Sequence, residues 1–196
     1  MTDLTPRDER ILEAALAEFE RHGIKRARVG AIAKNAGVGR ATLYRSYPDK
    51  DALVTAVLTA KVDLSLAALD QVMIDYQTIE DRMVEGFVVM LKSFRDDSLL
   101  QRLIALEPES VTPWLTVKGG PILALAREHL AKVIQSADLR LPPDLDIEVV
   151  AEMAVRLLHS LYATPQGLIG RDDDSSREFV RRYLVSTLFR SARHPE

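Results

Sequence analysis

Apolar residues recur along the chain at intervals of three and four, which is the spacing of one buried helix face. The pattern is clear after Pro6, where the apolar positions are Ile11, Leu12, Ala15, Leu16 and Phe19. No stretch shows the alternation of apolar and polar residues, with a period of two, that indicates a half-buried strand. The sequence therefore predicts an all-α protein.

Capping residues and helix breakers divide this pattern into separate helices. Thr5 precedes a proline at the first helical position and an acid at the third, which is a typical helix start, and Gly23 is predicted to end that helix. Pro48 is predicted to end the third helix, and Asp49 to cap the fourth. The predicted helices cover about 6–23, 29–36, 39–47, 50–75, 79–95, 98–106, 121–137, 147–162 and 176–191, the last preceded by a capping box, Ser175-x-x-Glu178.

The segment AGVG, residues 36–39, separates the second and third helices. Two short helices that meet at a steep angle need a turn of three or four residues, commonly with a glycine at positive φ. Gly37 is expected to turn the chain, Val38 to fill the gap between the helices, and Gly39 to cap the third helix. This arrangement predicts a helix-turn-helix.

The third helix has one face suited to the core and one suited to a DNA groove. Leu43 and Tyr47 lie four residues apart and are expected to face inward. Arginine pairs with guanine edges, small side chains approach the thymine methyl, and hydroxyls and cations hold phosphates. The residues left on or beside the outward face are Arg40, Ala41, Thr42, Tyr44 and Arg45.

The charge distribution agrees with a polyanionic partner. The net charge of the chain is -3, yet residues 21–50 hold eight bases and one acid, so that this segment carries +7 and the remainder -10. Phosphate contacts draw on Lys and Arg, and a basic segment on an acidic body is the electrostatic footprint of a DNA-binding protein. A solvated cationic face is the alternative interpretation of the same charges.

Other functional classes fit the sequence less well. GVGRAT resembles a G-x-G-x-x-G nucleotide fingerprint, but Thr42 replaces the third glycine and a helix precedes it. The chain has no cysteine, no close histidine pair, no P-loop and no G-x-S-x-G motif, so we expect no metal, no cofactor and no catalysis. A helical small-molecule-binding or scaffold protein with an incidental basic segment remains the second hypothesis. The sequence lacks a signal-peptide pattern and shows no apolar run near the length of a membrane span, which predicts a cytoplasmic protein.

The segment IAKNAGVGRATLYRSYPDKDAL resembles the DNA-binding domain of the TetR (tetracycline-repressor-like) family of transcription regulators. The resemblance covers about residues 6–53. It implies a DNA-binding domain over residues 1–50 and a helical ligand-binding and dimerisation domain over residues 51–196. It also implies that Arg40, Ala41 and Thr42 face base edges. Phosphate contacts are implied for Thr42, Tyr44, Lys50 and, at the start of the second helix, Arg28.

The chain departs from the family pattern at several positions. Gly39 and Arg28 replace a usual serine and threonine, which removes two hydroxyls able to cap helices or contact phosphate. Ala41 replaces a frequent glycine and Ser46 an aromatic residue or histidine.

The rest of the chain has no comparable signature, so its roles follow from the resemblance. It implies a ligand-responsive DNA-binding regulator, a repressor, that acts as a homodimer on a palindromic operator. An amphipathic effector is expected against Phe87, Met90, Phe94, Trp114, Met153, His159 and Tyr162. The dimer is expected to form through the last two helices, by Met153, Leu157, Phe179, Tyr183, Leu184 and Leu188. Packing within the core of a single subunit is the alternative interpretation of both sets.

Overall fold

The computed structural model describes residues 4–136 and 145–186, and every regular element in these ranges is helical. The helices are α1 Pro6–Arg26, α2 Val29–Asn35, α3 Arg40–Ser46, α4 Lys50–Met73, α5 Ile79–Asp96, α6 Ser98–Leu106, α7 Pro108–Val111, α8 Gly120–Ser136, α9 Ile147–Ala163 and α10 Asp173–Phe179. A π-helical segment, Val180–Val185, continues α10. The prediction of an all-α fold is confirmed.

The predicted start and stop signals act where the sequence places them. Thr5 accepts a hydrogen bond from the Asp8 amide at 3.2 Å, and Asp49 accepts one from the Ala52 amide at 2.7 Å. Gly23 has φ 75° and ψ 164°, which breaks the regular helix inside α1. The left-handed φ requires glycine at this position.

The helix near the carboxyl end begins earlier than predicted. Asp172, and not Ser175, is the N-cap of α10, and Ser175 is the third helical residue that completes the capping box. Hydrogen bonds from the backbone amide and hydroxyl of Ser175 lower the pKa of Asp172. The predicted box Ser175-x-x-Glu178 was wrong because the preceding acid caps the helix first. The predicted residues 187–191 of this helix lie outside the described residues.

The chain forms two compact units. The first contains the described residues up to Leu64 together with Ser98–Ile122, and the second contains Ser65–Asp97 together with the described residues from Leu123 onward. Helix α4 contributes residues to both units. The functional division after residue 50 stays a prediction, but residues 51–64 and 98–122 belong to the same compact unit as the helix-turn-helix.

Each unit has its own apolar core. The core of the first is built by α1 to α4 with α6 and α7, and its almost fully buried side chains include Ile11, Phe19, Ile32, Leu43, Leu53 and Val111. The core of the second is built around α5 with α9 and the π-helical segment, and contains Ile79, Met83, Val84, Phe87, Leu91, Val180 and Val185.

Helix α4 is more apolar than the sequence analysis allowed. It is 24 residues long, and an 18-residue window reaches a mean hydropathy of 1.7, enough by length and composition to cross a membrane. The expectation that no run approaches that length was wrong, because Thr and Ser count little against Leu, Val and Ala in the average. One such helix is weak evidence for a span. Its first turns pack Leu53, Val54 and Val57 into the first core, and Lys61 and Asp63 lie in its middle.

Candidate nucleic-acid interface

The turn between α2 and α3 has the predicted geometry. Gly37 adopts φ 67°, and the Val38 amide donates to the Ala33 carbonyl at 2.9 Å. Val38 packs against the first core, and Gly39 takes the extended N-cap conformation, with φ -71° and ψ 148°. Since only glycine enters the left-handed region without cost, Gly37 makes the tight turn possible.

Two side chains that pack into the core determine which face of α3 is outward. Leu43 is 1% exposed, and Tyr47 packs against the same core. A seven-residue helix anchored in this way must present its opposite side to solvent. Among the predicted DNA contacts on this helix, Arg40, Ala41, Tyr44 and Arg45 are exposed and Thr42 is partly exposed.

The two predicted phosphate contacts outside α3 differ in their environment. Arg28 is exposed at the N-cap of α2. The Lys50 ammonium donates to the carbonyls of Lys25 and Ala27, at 3.0 and 2.9 Å, and burial lowers its pKa. An ammonium has three donors, so one is left for a phosphate. Lys50 thus also binds the end of α1 to the start of α4.

Two glutamates that the sequence analysis did not single out position the motif. Glu18 is 4% exposed, and its Oε1 accepts the Arg28 amide at the start of α2, at 3.1 Å. Glu107 accepts the Lys25 amide at 3.1 Å just beyond the break at Gly23. Both contacts join residues of different helices, 10 and 82 positions apart, and helical periodicity carries no signal for either.

Comparison with known families identifies the protein family to which this helix-turn-helix belongs. The model of bacterial regulatory proteins of the tetR family matches residues 11–57, and the model of the bacterial tetracyclin repressor C-terminal domain matches residues 79–181. The second match alone covers more than half of the chain. The chain belongs to the TetR family. It is a transcription regulator of the TetR type with a helix-turn-helix for DNA binding.

Individual relatives of this TetR-family chain agree with that assignment. An uncharacterized HTH-type transcriptional regulator of Mycobacterium tuberculosis is 28% identical over 95% of this chain and 91% of its own. The HTH-type transcriptional regulator UidR of Escherichia coli is 24% identical over 83% of each chain. These homologues are described as regulators and not as enzymes.

Solved structures share the fold. The TetR family repressor AlkX from Dietzia, implicated in biodegradation of n-alkanes, has a TM-score of 0.72 at 22% identity and covers 91% of this chain and 98% of its own. The transcriptional repressor QsdR of R. erythropolis has a TM-score of 0.66 at 22% identity, and the match covers 92% of this chain and 94% of QsdR.

The second unit of the TetR-family chain holds a cluster of rings among the predicted effector residues. Phe94 stacks on Tyr162 with ring centroids 4.5 Å apart, and His159 meets Tyr162 edge-on at 5.1 Å. Burial raises the pKa of Tyr162 to about 12 and, with the nearby Arg156, lowers the pKa of His159. The Nε2 atom of His159 is buried and has no hydrogen-bond partner among the described residues.

The remaining predicted effector residues are not all gathered at these rings. Phe87 and Met90 are buried on α5, whereas Met153 is 60% exposed on α9. Trp114 belongs to the first unit, where it is buried in the core and its indole donates to Thr55 Oγ1 at 2.8 Å. Its contacts there are those of a packing residue.

The predicted dimer residues divide into exposed and partly buried side chains. Met153 and Tyr183 are 60% and 55% exposed. Leu157, Phe179 and Leu184 are partly buried against the second core. Leu188 lies outside the described residues.

Proposed function

We propose that the protein is a homodimeric, ligand-responsive repressor that binds a palindromic DNA operator. The proposal depends mainly on the outward face of α3, which carries cationic, hydroxyl-bearing and small side chains. The opposite side of this helix is anchored by the buried Leu43. These types match what base edges and phosphates in a major groove require.

The proposed contacts follow from position on the motif. Arg40, Ala41 and Thr42 stand in the first turn of α3, the part of a recognition helix that meets base edges. Tyr44, Arg45 and Thr42 hold phosphates with their hydroxyls and charge, and Arg28 does so from the N-cap of α2. Lys50 contributes its remaining donor from the start of α4.

Dimerisation through the last two helices supplies two such motifs for one operator. Two recognition helices read half-sites about one helical turn, or 34–36 Å, or a multiple of it apart, and a two-fold dimer requires a palindrome. The exposed Met153 on α9 and Tyr183 beyond α10 are the apolar side chains that a symmetric partner would cover. Leu157, Phe179, Leu184 and Leu188 complete the proposed interface.

The effector we propose is an amphipathic small molecule bound in the second unit. Phe94, His159 and Tyr162 provide aromatic surface, and the buried Nε2 of His159 provides a polar group that pairs with a ligand. Phe87, Met90 and Met153, which also belong to the second unit, complete the proposed set. Phe94→Ala is expected to weaken effector binding without changing DNA binding by the free protein.

Control of DNA binding follows from a difference in affinity between two states. An effector that prefers the state with wrongly spaced recognition helices lowers operator affinity, and DNA lowers effector affinity by the same factor. Helix α4 is the proposed lever because it contributes residues to both units. The protein is proposed to act in the cytoplasm, without a cofactor, metal or catalytic step.

Selection of duplexes from a random pool tests the proposal. The protein is expected to enrich a palindrome, and the logarithm of its affinity is expected to fall linearly with the logarithm of salt concentration. Each subunit has about three cations proposed to face phosphates, namely Arg28, Arg45 and Lys50. For the dimer they predict a slope of about -5 in the plot of log affinity against log salt concentration. A small-molecule-binding scaffold with an incidental basic segment would form no tight duplex complex at any salt concentration.

A further inference from the structure

Gly30 has no conformational reason to be glycine. It lies in the first turn of α2, where glycine is a poorer helix former than alanine. Among the described residues, positive φ occurs only at Gly23, Gly37 and Gly170, so the backbone of Gly30 is one that any residue adopts. The absence of a side chain here must be explained by what lies beside it.

The guanidinium of Arg40 occupies the space beside Gly30. A Cβ on residue 30 would lie 2.8 Å from Cζ and 2.9 Å from Nε of Arg40, closer than real Cβ atoms come to other heavy atoms. Arg40 is the first residue of α3, and its side chain reaches back to the first turn of α2. Any side chain at position 30 would therefore displace the guanidinium.

The displacement costs the fold little. The group that must move is the far end of a flexible and exposed side chain, whereas the buried contacts of both helices stay in place. The substitution instead changes the position that the Arg40 guanidinium occupies before DNA binds. This planar group pairs with a base edge only in a fixed geometry.

We propose that Gly30 determines DNA sequence specificity by positioning the Arg40 guanidinium. The inference rests on the proposed function, because it requires Arg40 to read a base pair. Gly30 is a positioning residue. Because it has no side chain, it leaves a space beside the first turn of α2, and the guanidinium of Arg40, the first residue of α3, occupies that space. A Cβ at this position directs Arg40 away from its base pair.

A double-mutant cycle on DNA specificity tests the proposal. Wild type first selects its duplex from a random pool. Affinities are then measured for that duplex and for each of its single-base-pair variants. The four proteins of the cycle are wild type, Gly30→Ala, Arg40→Ala and the double variant. Gly120→Ala is the matched control, since Gly120 also stands in the first turn of a helix and a Cβ there would meet no described atom within 4 Å.

The expected result is confined to one base pair. Arg40→Ala is expected to reduce discrimination at that pair by about 5- to 150-fold, the range of a good bidentate contact. Gly30→Ala is expected to reduce it by at least about fivefold at the same pair, and to change nothing further when Arg40 is already alanine. Gly120→Ala is expected to keep the wild-type preference. Gly30→Ser, which also introduces a Cβ, must reproduce the effect.

Three results would overturn the inference alone: unchanged preference in both Gly30 variants, equal loss on every duplex, or the same shift in the Arg40→Ala background. A wild type that selects no sequence would instead overturn the proposed function, and the inference with it. The tryptophan-fluorescence unfolding midpoint of each variant separates these outcomes from a folding defect, since a merely structural role would lower the midpoint without a base-pair-specific change.

Discussion

Glu18 provides a stringent test of how the DNA-binding unit is held together. This acid is 4% exposed inside α1, and its Oε1 accepts the Arg28 amide at 3.1 Å. Within the described part of the chain, the Arg28 side chain makes no capping hydrogen bond of its own to α2. Glu18 therefore accepts the backbone amide of the N-cap residue of α2, as the acid of a capping box does in other helices.

The magnitude follows from the two interactions that the carboxylate makes with the start of α2: the hydrogen bond to the Arg28 amide and the charge near the helix N-terminus. Loss of the hydrogen bond to the Arg28 amide costs about 0.5–1.5 kcal/mol, and loss of a negative charge at a helix N-terminus costs about 0.3–1 kcal/mol. Glu18→Leu keeps most of the volume but loses both, so its free energy of unfolding is expected to fall by about 1–3 kcal/mol. Glu18→Gln keeps an acceptor oxygen and is expected to lose only about 0.3–1 kcal/mol.

The chain contains a built-in reporter for this measurement. Trp114 is the only tryptophan of the sequence, and it is buried in the core of the same unit. Urea unfolding followed by its fluorescence is expected to show a midpoint about 0.5–1.5 M lower for Glu18→Leu than for wild type. Glu13→Gln, an exposed glutamate on the same helix, is the control and is expected to leave the midpoint unchanged.

Two outcomes would contradict the role proposed for Glu18. If Glu18→Leu were as stable as wild type, the hydrogen bond to Arg28 would contribute nothing. If Glu18→Gln lost as much stability as Glu18→Leu, the charge and not the acceptor would hold α2 in place.

Four further predictions address the other contacts. Lys50→Met is expected to lower the free energy of unfolding by about 1–3 kcal/mol in the same fluorescence titration, because two carbonyls lose a charged donor; an unchanged midpoint would contradict this. Tyr44→Phe is expected to weaken binding to all duplexes alike in anisotropy titrations, and a loss confined to one sequence would disprove phosphate holding. Tyr183→Glu is expected to give monomers in sedimentation whereas Leu168→Glu, at an 81% exposed position, leaves the dimer intact; a dimeric Tyr183→Glu would exclude this interface. For His159, the lowered folded-state pKa means that the unfolded chain takes up its proton first, so stability is expected to fall as the pH drops below about 6.5. His159→Phe should lose that part of the pH dependence in unfolding followed by circular dichroism, and an identical pH profile would contradict it.

The sequence predicts those parts of the fold that depend on neighbouring residues. Thr5, Gly23, Gly37 and Asp49 act within one turn of the chain, and each has the predicted role. The outward face of α3 was equally predictable, because the buried position of Leu43 follows from helical spacing.

Contacts between distant segments were not predictable in this way. The acceptors supplied by Glu18 and Glu107, and the space that Gly30 leaves for Arg40, join residues with no shared periodicity. Trp114 shows the same limit: the sequence analysis places it among the expected effector contacts, whereas its indole packs in the core of the first unit.

Whether the protein is a dimeric DNA-binding repressor can be tested by selection of duplex DNA with the purified protein, repeated after unfolding and refolding to remove any bound ligand. The refolded dimer is expected to enrich a palindrome, and its affinity is expected to fall steeply with salt concentration, with a slope of about -5 in the logarithmic plot. Failure of the refolded protein to enrich any sequence would contradict this role and favour the ligand-binding scaffold.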